Sequence, residues 1–275
     1  MSKIPLKIHQ IWYQGESNVP PHLQAYRQSW IDIHPNYSFV LWDKDSIETL
    51  IKGFPPAIST LYYSYELMIQ RIDFAKYVIL YAYGGIYIDM DVKCLQSLDT
   101  IYKKHPDKNV ILSLCPYNFL HSLSLGLVGL RLNENLINNG VIACTPRHSF
   151  LLNIIRQAET NRPTVFKAVS SFLHIFYTTG PVMVTHAFRN TKRREDIVVL
   201  DNTYFEACDI DSVKNGCIPP SHAVALHVYE GSWHSSSEKS VVNMYFFMER
   251  NSKTLLFILF IMYIIFRTPT NKRRL

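Results

Sequence analysis

The segment that most constrains this chain runs from residue 66 to residue 92. Glu66 to Tyr83 reads as one long helix, with Ile72, Ala75, Ile79 and Tyr83 recurring at helical spacing. It stops at Gly84-Gly85, where glycine tolerates the positive φ of a helix C-cap. Ile86 to Val92 (IYIDMDV) then alternates like a strand. On that reading Ile86, Ile88, Met90 and Val92 share one face, and Tyr87, Asp89 and Asp91 share the other. A continuous strand sets the two aspartates about 6.6 Å apart, at ~3.3 Å per residue. Two carboxylates on one face of an apolar strand are costly unless a cation or water satisfies them. A divalent metal with oxygen ligands, bridging to a substrate diphosphate, meets that need.

Asp-x-Asp alone is a weak signal, because Asp43-Lys44-Asp45 and Asp209-Ile210-Asp211 match it too. Only Asp89-Met90-Asp91 follows a helix, a Gly-Gly turn and an apolar strand. The other two read as a helix cap and a solvated loop. Upstream, a strand at Lys7–Gln14, a helix at Leu23–Ile33, a strand at Tyr37–Trp42 and a helix at Asp45–Ile51 capped by Asp43 give the order of an α/β domain. Further strands are expected at Val110–Leu114, Val141–Cys144, Ile197–Leu200 and Ala223–Val228. Helices are expected near Phe150–Thr160 and Val165–Tyr177.

A hydrophobic fraction of 48% with 18% charged residues excludes a disordered chain. A net charge of +6 favours anionic partners such as nucleotides or lipid headgroups, without singling out nucleic acid. Cys94, Cys115, Cys144, Cys208 and Cys217 form no C-x-x-C pair, which argues against a disulfide framework and a structural zinc site. Cys208 and Cys217 are close enough in sequence to pair, but nothing requires it. The N-terminal residues show no apolar run of the kind a cleaved secretory signal has. Leu255 to Phe266 (LLFILFIMYIIF) carries no charge. As a helix it would reach about 18 Å at ~1.5 Å per residue, short of the roughly 30 Å hydrocarbon core. A buried helix is the bland reading of it. All-round hydrophobicity and the basic Lys272, Arg273 and Arg274 beyond it favour membrane attachment.

The chain resembles the glycosyltransferases with a DXD sugar-binding motif, the group of the fungal initiation-specific mannosyltransferase and the inositolphosphoceramide mannosyltransferases. The resemblance rests on Ile4-Pro5, on Ile8-His9-Gln10-Ile11-Trp12, on Arg71-Ile72-Asp73-Phe74-Ala75-Lys76-Tyr77 and on Leu80 through Val92. Leu41-Trp42-Asp43, Thr179-Gly180-Pro181 and Gly231-Ser232-Trp233 follow in the family's order. It implies a GT-A fold (Rossmann-like and nucleotide-sugar-binding), a nucleotide-sugar donor, Mn²⁺ or Mg²⁺, and transfer with retention. By position it implies Trp12 stacked on the donor base, Asp73 on the donor sugar or ribose, and Asp89 and Asp91 on metal, nucleotide and sugar. One position departs: Lys76 stands where the family usually has Arg, keeping the charge but losing the bidentate fork. That bears on donor choice and turnover rather than on reaction class. His227 falls where related transferases often place a further metal or diphosphate ligand, though a lone histidine on an apolar strand is also an ordinary core residue. Trp233 reads as pocket wall or core, and Asn138-Asn139 as donor-pocket residues or a tight turn.

The expectation is a single α/β catalytic domain of GT-A type over residues 1–240, with added helices. A hydrophobic and basic tail follows over 241–275, with a candidate membrane anchor at 254–266. The function expected is metal-dependent, retaining hexosyl transfer to a glycan or glycolipid hydroxyl. Mannose from GDP-mannose is the first guess, and a UDP-hexose the alternative donor. Metal ligands are Asp89, Asp91 and His227; donor-binding residues are Trp12, Asp73, Lys76, Asp89 and Trp233. The tail would hold the enzyme at a membrane, the cytosolic face being favoured. The rival readings are a catalytically silent sugar-nucleotide-binding protein and a metal-dependent phosphohydrolase.

Overall fold

The computed structural model describes residues 4–116, 135–161, 171–209, 212–213 and 215–230. Trp233 and the whole 241–275 tail, including its apolar block at 254–266, lie outside the described residues. Among those described, no helix is long and apolar enough to cross a membrane.

Among the described residues there are eight strands: β1 Lys7–Ile11, β2 Ser38–Trp42, β3 Gly85–Ile88, β4 Val92–Cys94, β5 Val110–Ser113, β6 Val141–Cys144, β7 Ile197–Leu200 and β8 Ala225–His227. Six form a central sheet in the order β2-β1-β3-β6-β5-β7, and β4 pairs with β8 in a separate ribbon. Within the sheet β6 runs antiparallel to both its neighbours, while the β1–β2, β1–β3 and β5–β7 pairs are parallel. The C-terminal ends of β1, β2, β3, β5 and β7 therefore meet the start of β6 along one sheet edge. In open α/β sheets that edge is where ligands bind.

Two apolar layers cover the sheet. Ile8, Ile86, Ile88, Ile111 and Ala143 pack on one side with Trp30 of α1 (Pro21–Ile33). Tyr87, Ile142 and Leu112 pack on the other with α4 (Met68–Tyr83), whose residues 73–80 are all buried. Between these two helices lie α2 (Lys44–Lys52) and α3 (Pro56–Ser64), and α5 is Asp99–Lys104. Then come α6 (Ser149–Thr160), α7 (Ser171–Thr178) and α8 (Pro181–Arg189). Asp43 caps α2 as expected, accepting from Ser46 N at 2.9 Å. Mixed α/β architecture around a central sheet is what the alternating pattern implied.

The glycine pair is required by both conformation and space. Gly84 and Gly85 have φ of 62° and 95°. A Cβ on Gly84 would lie 2.5 Å from Pro146 Cδ, and one on Gly85 would lie 2.5 Å from the Lys7 carbonyl oxygen. The strand that follows is shorter than its pattern suggests. It ends at Ile88; Asp89 to Asp91 form a turn closed by Val92 N donating to Asp89 O at 3.2 Å, and Val92 opens β4. Asp89 and Asp91 thus do not share the face of one strand. Met90 leaves the Ile86–Ile88 layer and joins Val19 and Leu23. Alternating hydrophobicity cannot distinguish one strand from two joined by a turn, because both bury every second residue.

The cysteine pairing that the sequence left open is made. Cys208 and Cys217 form a disulfide, with Cα atoms 6.1 Å apart. A single bridge closing a local turn leaves no spacing pattern in the sequence.

His9 ties β1 to the glycine turn. Trp42 Nε1 donates to its Nδ1 at 3.1 Å, and its Nε2 donates to Gly84 O at 3.0 Å, so the ring is filled as a neutral imidazole. Burial pushes its pKa down from 6.5 to about 4, against the Gly84 hydrogen bond that favours the charged form. The unfolded chain takes up this proton below pH 6.5 and the folded one does not. Stability should therefore fall as pH drops from 6.5 towards 4, by at most roughly 1.4 kcal/mol per pH unit from this group. Urea unfolding between pH 7 and 5 checks this: His9→Gln should flatten the slope, and an unchanged slope would refute it.

Candidate active site

At the sheet edge stands a lysine that is 2% exposed. Lys76 Nζ lies 2.8 Å from Asp73 Oδ1, 3.2 Å from Asn139 O and 3.5 Å from Asp89 Oδ1, and 4.9 Å from the centre of the Tyr87 ring. The helix sets this up, since Asp73 and Lys76 are one turn apart on α4. Burial alone would lower the lysine's pKa. The Asp73 and Asp89 carboxylates outweigh it and hold the ammonium above its ordinary value. Burial raises Asp73, opposed by Lys76 and by the Thr179 hydroxyl. Asp73 Oδ1 also accepts from Asn139 Nδ2 at 3.2 Å, and its Oδ2 from Thr179 Oγ at 3.0 Å. Three donors on two oxygens oppose that rise, which burial still wins. Three acceptors in different directions also suit an ammonium, with its three rotatable donors, better than a planar guanidinium fork.

Asp89 sits at the mouth of this network. Its Oδ1 accepts from Tyr87 Oη at 2.8 Å, and its amide donates to Gly140 O at 2.8 Å. A Cβ on residue 140 would come 2.8 Å from Asp89 Oδ2, so glycine there lets the carboxylate lie against the loop. Asn138 makes the turn, its side chain accepting from Gly140 N and from Val141 N. Asn139 reaches the site, donating to Asp73 and to Tyr77 Oη. Asn138 thus makes the tight turn that the sequence offered as one reading, and Asn139 joins the network around Asp73.

Asp91 faces a different set of groups. Pairing of Val92 with His227 across the β4–β8 ribbon brings His227 Nε2 to 3.4 Å from Asp91 Oδ1, while Asp91 Oδ2 accepts from Glu230 N at 3.1 Å. His227 Nδ1 meets Glu206 Oε1 at 2.7 Å, and its ring stacks on Tyr229 with centroids 4.1 Å apart. Burial would lower the His227 pKa, but Asp91 and Glu206 push it well above its ordinary value. Burial raises Asp91, and His227 more than reverses this. Glu206 carried no signal in the sequence. It follows β7 and meets His227 only through the tertiary fold.

Trp12 follows β1 and packs, with Tyr26 and Leu41, on Val19, Leu23 and Met90, the residue between the two aspartates. Its Nε1 is buried with no partner among the described residues. The fold therefore gathers Trp12, Asp73, Lys76, Asp89, Asp91 and His227 at one edge of the sheet. Of the other two Asp-x-Asp matches, Asp43 caps α2 with Asp45 exposed in its first turn, and Asp209 accepts from Ser212 N in a local turn.

The donor chemistry here fits a divalent cation. Asp91 and His227 converge through one oxygen and one nitrogen, and Asp89 Oδ2 has no partner among the described residues. No three such side chains already form a cage among the described residues, so water or substrate oxygens would complete the shell.

Removing the cation from the buried pair should be costly. Lys76→Met leaves Asp73 uncompensated and should destabilise the fold by about 3–5 kcal/mol. The double variant Asp73→Leu/Lys76→Met should recover much of that loss. Chemical denaturation measures both, and a single-variant cost below about 1 kcal/mol, the range of an exposed pair, would contradict the network.

Residues 20–108 match the family described as a glycosyltransferase sugar-binding region containing a DXD motif. The chain is 30% identical over 243 residues to inositol phosphoceramide mannosyltransferase 3 of Schizosaccharomyces pombe, covering 88% of this chain and 59% of that protein. It thus spans less than two thirds of that relative's length. It is 28% identical to an uncharacterized glycosyltransferase of Acanthamoeba polyphaga mimivirus, over 84% of each chain. In fold it is similar to the catalytic domain of alpha-toxin from Clostridium novyi, with a TM-score of 0.51, 10% identity, and coverage of 88% of this chain and 82% of that one. With the Gly-Gly turn, the two aspartates and the buried Asp73–Lys76 pair in place, residues 20–108 match the DXD-containing sugar-binding region of glycosyltransferases, and the chain is similar to such enzymes over most of its length.

Proposed function

We propose that this chain is a GT-A-type, metal-dependent, retaining glycosyltransferase. It moves a hexose, mannose from GDP-mannose before a UDP-hexose, to a hydroxyl of a glycan or lipid-linked acceptor. The observation that carries this reading is the turn Asp89-Met90-Asp91, which joins a buried ammonium network to a carboxylate–imidazole pair at the sheet edge. The choice of mannose and of a lipid-linked acceptor is supported by the name of the fission-yeast relative.

Each residue has a role that its surroundings support. Asp91 and His227, with Asp89 Oδ2, would hold Mn²⁺ or Mg²⁺, which when bound neutralises charge on the departing nucleoside diphosphate. Lys76 supplies a fixed positive charge beside Asp89, and Asp73, Asn139 and Thr179 keep it from wandering. Tyr87 fixes the Asp89 rotamer through its hydroxyl. Trp12, half-buried beside Met90, offers an aromatic face for the base. No protein nucleophile is needed if the acceptor hydroxyl attacks the anomeric carbon on the face that the diphosphate leaves. The hydroxyl proton then passes to the departing phosphate oxygen.

A screen of sugar nucleotides for Mn²⁺-dependent transfer and hydrolysis tests this. GDP-mannose should be consumed, and Asp89→Ala and Asp91→Ala should abolish turnover while melting as folded proteins. Trp12→Ala should raise donor KM about tenfold, in line with stacking worth roughly 1–3 kcal/mol. Asp43→Ala should lose about 1 kcal/mol of stability with its helix cap and keep its activity. Donor binding without turnover would indicate the silent protein instead. Phosphate release from nucleotides lacking a sugar would indicate the phosphohydrolase.

A further inference from the structure

We propose that Glu206 is a positioning residue that fixes the tautomer and orientation of His227, so that Nε2 is presented as a ligand beside Asp91. The proposal rests on the metal-dependent reading above and extends it to a residue outside the DXD region. Glu206 is 4% exposed, and among the described residues its carboxylate meets a single side-chain donor, His227 Nδ1 at 2.7 Å. A buried carboxylate is costly unless paired, so this contact is the one that justifies it.

Its backbone is firmly placed. Glu206 N donates to Asn202 O at 2.7 Å, Asn202 Nδ2 donates to Glu206 O at 3.2 Å, and Phe205 is buried in the core. Val224 N donates to Tyr204 O at 2.8 Å, tying this turn to the segment that leads into β8 and His227. Cys208, two residues on, is anchored by its disulfide to Cys217.

The two ring nitrogens are unequal. The 2.7 Å contact at Nδ1 has the length of a charge-assisted hydrogen bond, whereas the 3.4 Å approach of Nε2 to Asp91 is longer than the roughly 2.8 Å such a bond prefers. Nδ1–H is therefore committed to Glu206, and Nε2 is the atom left for another partner. Metal-binding histidines are oriented in this way by a carboxylate on the second nitrogen, at a cost of about 10–100-fold in metal affinity when it is lost.

The test is Mn²⁺ affinity of the full chain, measured by electron paramagnetic resonance with and without GDP, alongside melting in EDTA. His227→Ala and Asp91→Ala should lose Mn²⁺ binding. Glu206→Ala should weaken it about 10–100-fold, and Glu206→Gln, which keeps an acceptor for Nδ1–H, should recover part of the loss. Should Glu206→Ala not fold, Glu206→Gln carries the test, together with ¹⁵N spectra of the wild-type chain loaded with Cd²⁺. Those spectra should show His227 protonated at Nδ1 and coordinated to cadmium through Nε2. Wild-type affinity in both Glu206 variants while His227→Ala loses binding would overturn this role alone, as would the opposite tautomer. No Mn²⁺ binding by the wild-type chain would overturn the metal reading and this role with it.

Discussion

A lysine ammonium sealed inside the domain is the constraint on which the rest of the site depends. Lys76 touches α4, the end of β3 and the loop before β6, so three elements meet at one charge. An ion of this kind costs several kcal/mol to bury unless its partners are all in place. Asp73, Asp89 and the Asn139 carbonyl are those partners, and each is held by further hydrogen bonds. The glycines at 84, 85 and 140 let backbone and carboxylate approach closely enough for this to happen. With Lys76 charged, the cluster keeps one net negative charge. The Asp91–His227–Glu206 cluster across the turn keeps another when its histidine is protonated. An edge of that sign in a chain of net charge +6 would suit a divalent cation, and a bound cation would make it hospitable to a diphosphate, as the proposed function requires.

Much of the fold could be read from the sequence because local chemistry and global packing agree. Gly84-Gly85 marks the end of α4, and β6 and β7 have the predicted bounds, since short apolar strands between turn residues leave few alternatives. Asp43 was legible as a cap for the same reason. Helices α3 and α8 were not. Both begin at proline, which reads as a breaker from sequence yet is at home in the first turn of a helix.

The site was legible only in half. Asp73, Lys76 and Asp89 lie within one helix–turn–strand unit, so spacing and resemblance reach them together. Asp91 and His227 were grouped by resemblance alone, because their meeting depends on β4 pairing with β8 from the far end of the described chain and no local pattern encodes that register. Glu206 is a further step removed, an acid in an irregular turn whose significance exists only once His227 has been placed against it. The division of labour between the two aspartates was hidden for a related reason. A strand reading puts them on one face, whereas the turn sends Asp89 towards the lysine and Asp91 towards the histidine.

The central claim is that this edge of the sheet is built to hold a divalent cation between the DXD turn and His227. Crystals of the protein grown with Mn²⁺ and GDP, measured at a wavelength where manganese scatters anomalously, test it directly. The account predicts one strong anomalous peak in contact with the Asp91 carboxylate and His227 Nε2, with the diphosphate against it. A nucleotide bound with no peak at that position, or a peak whose protein ligands lie elsewhere, would contradict it.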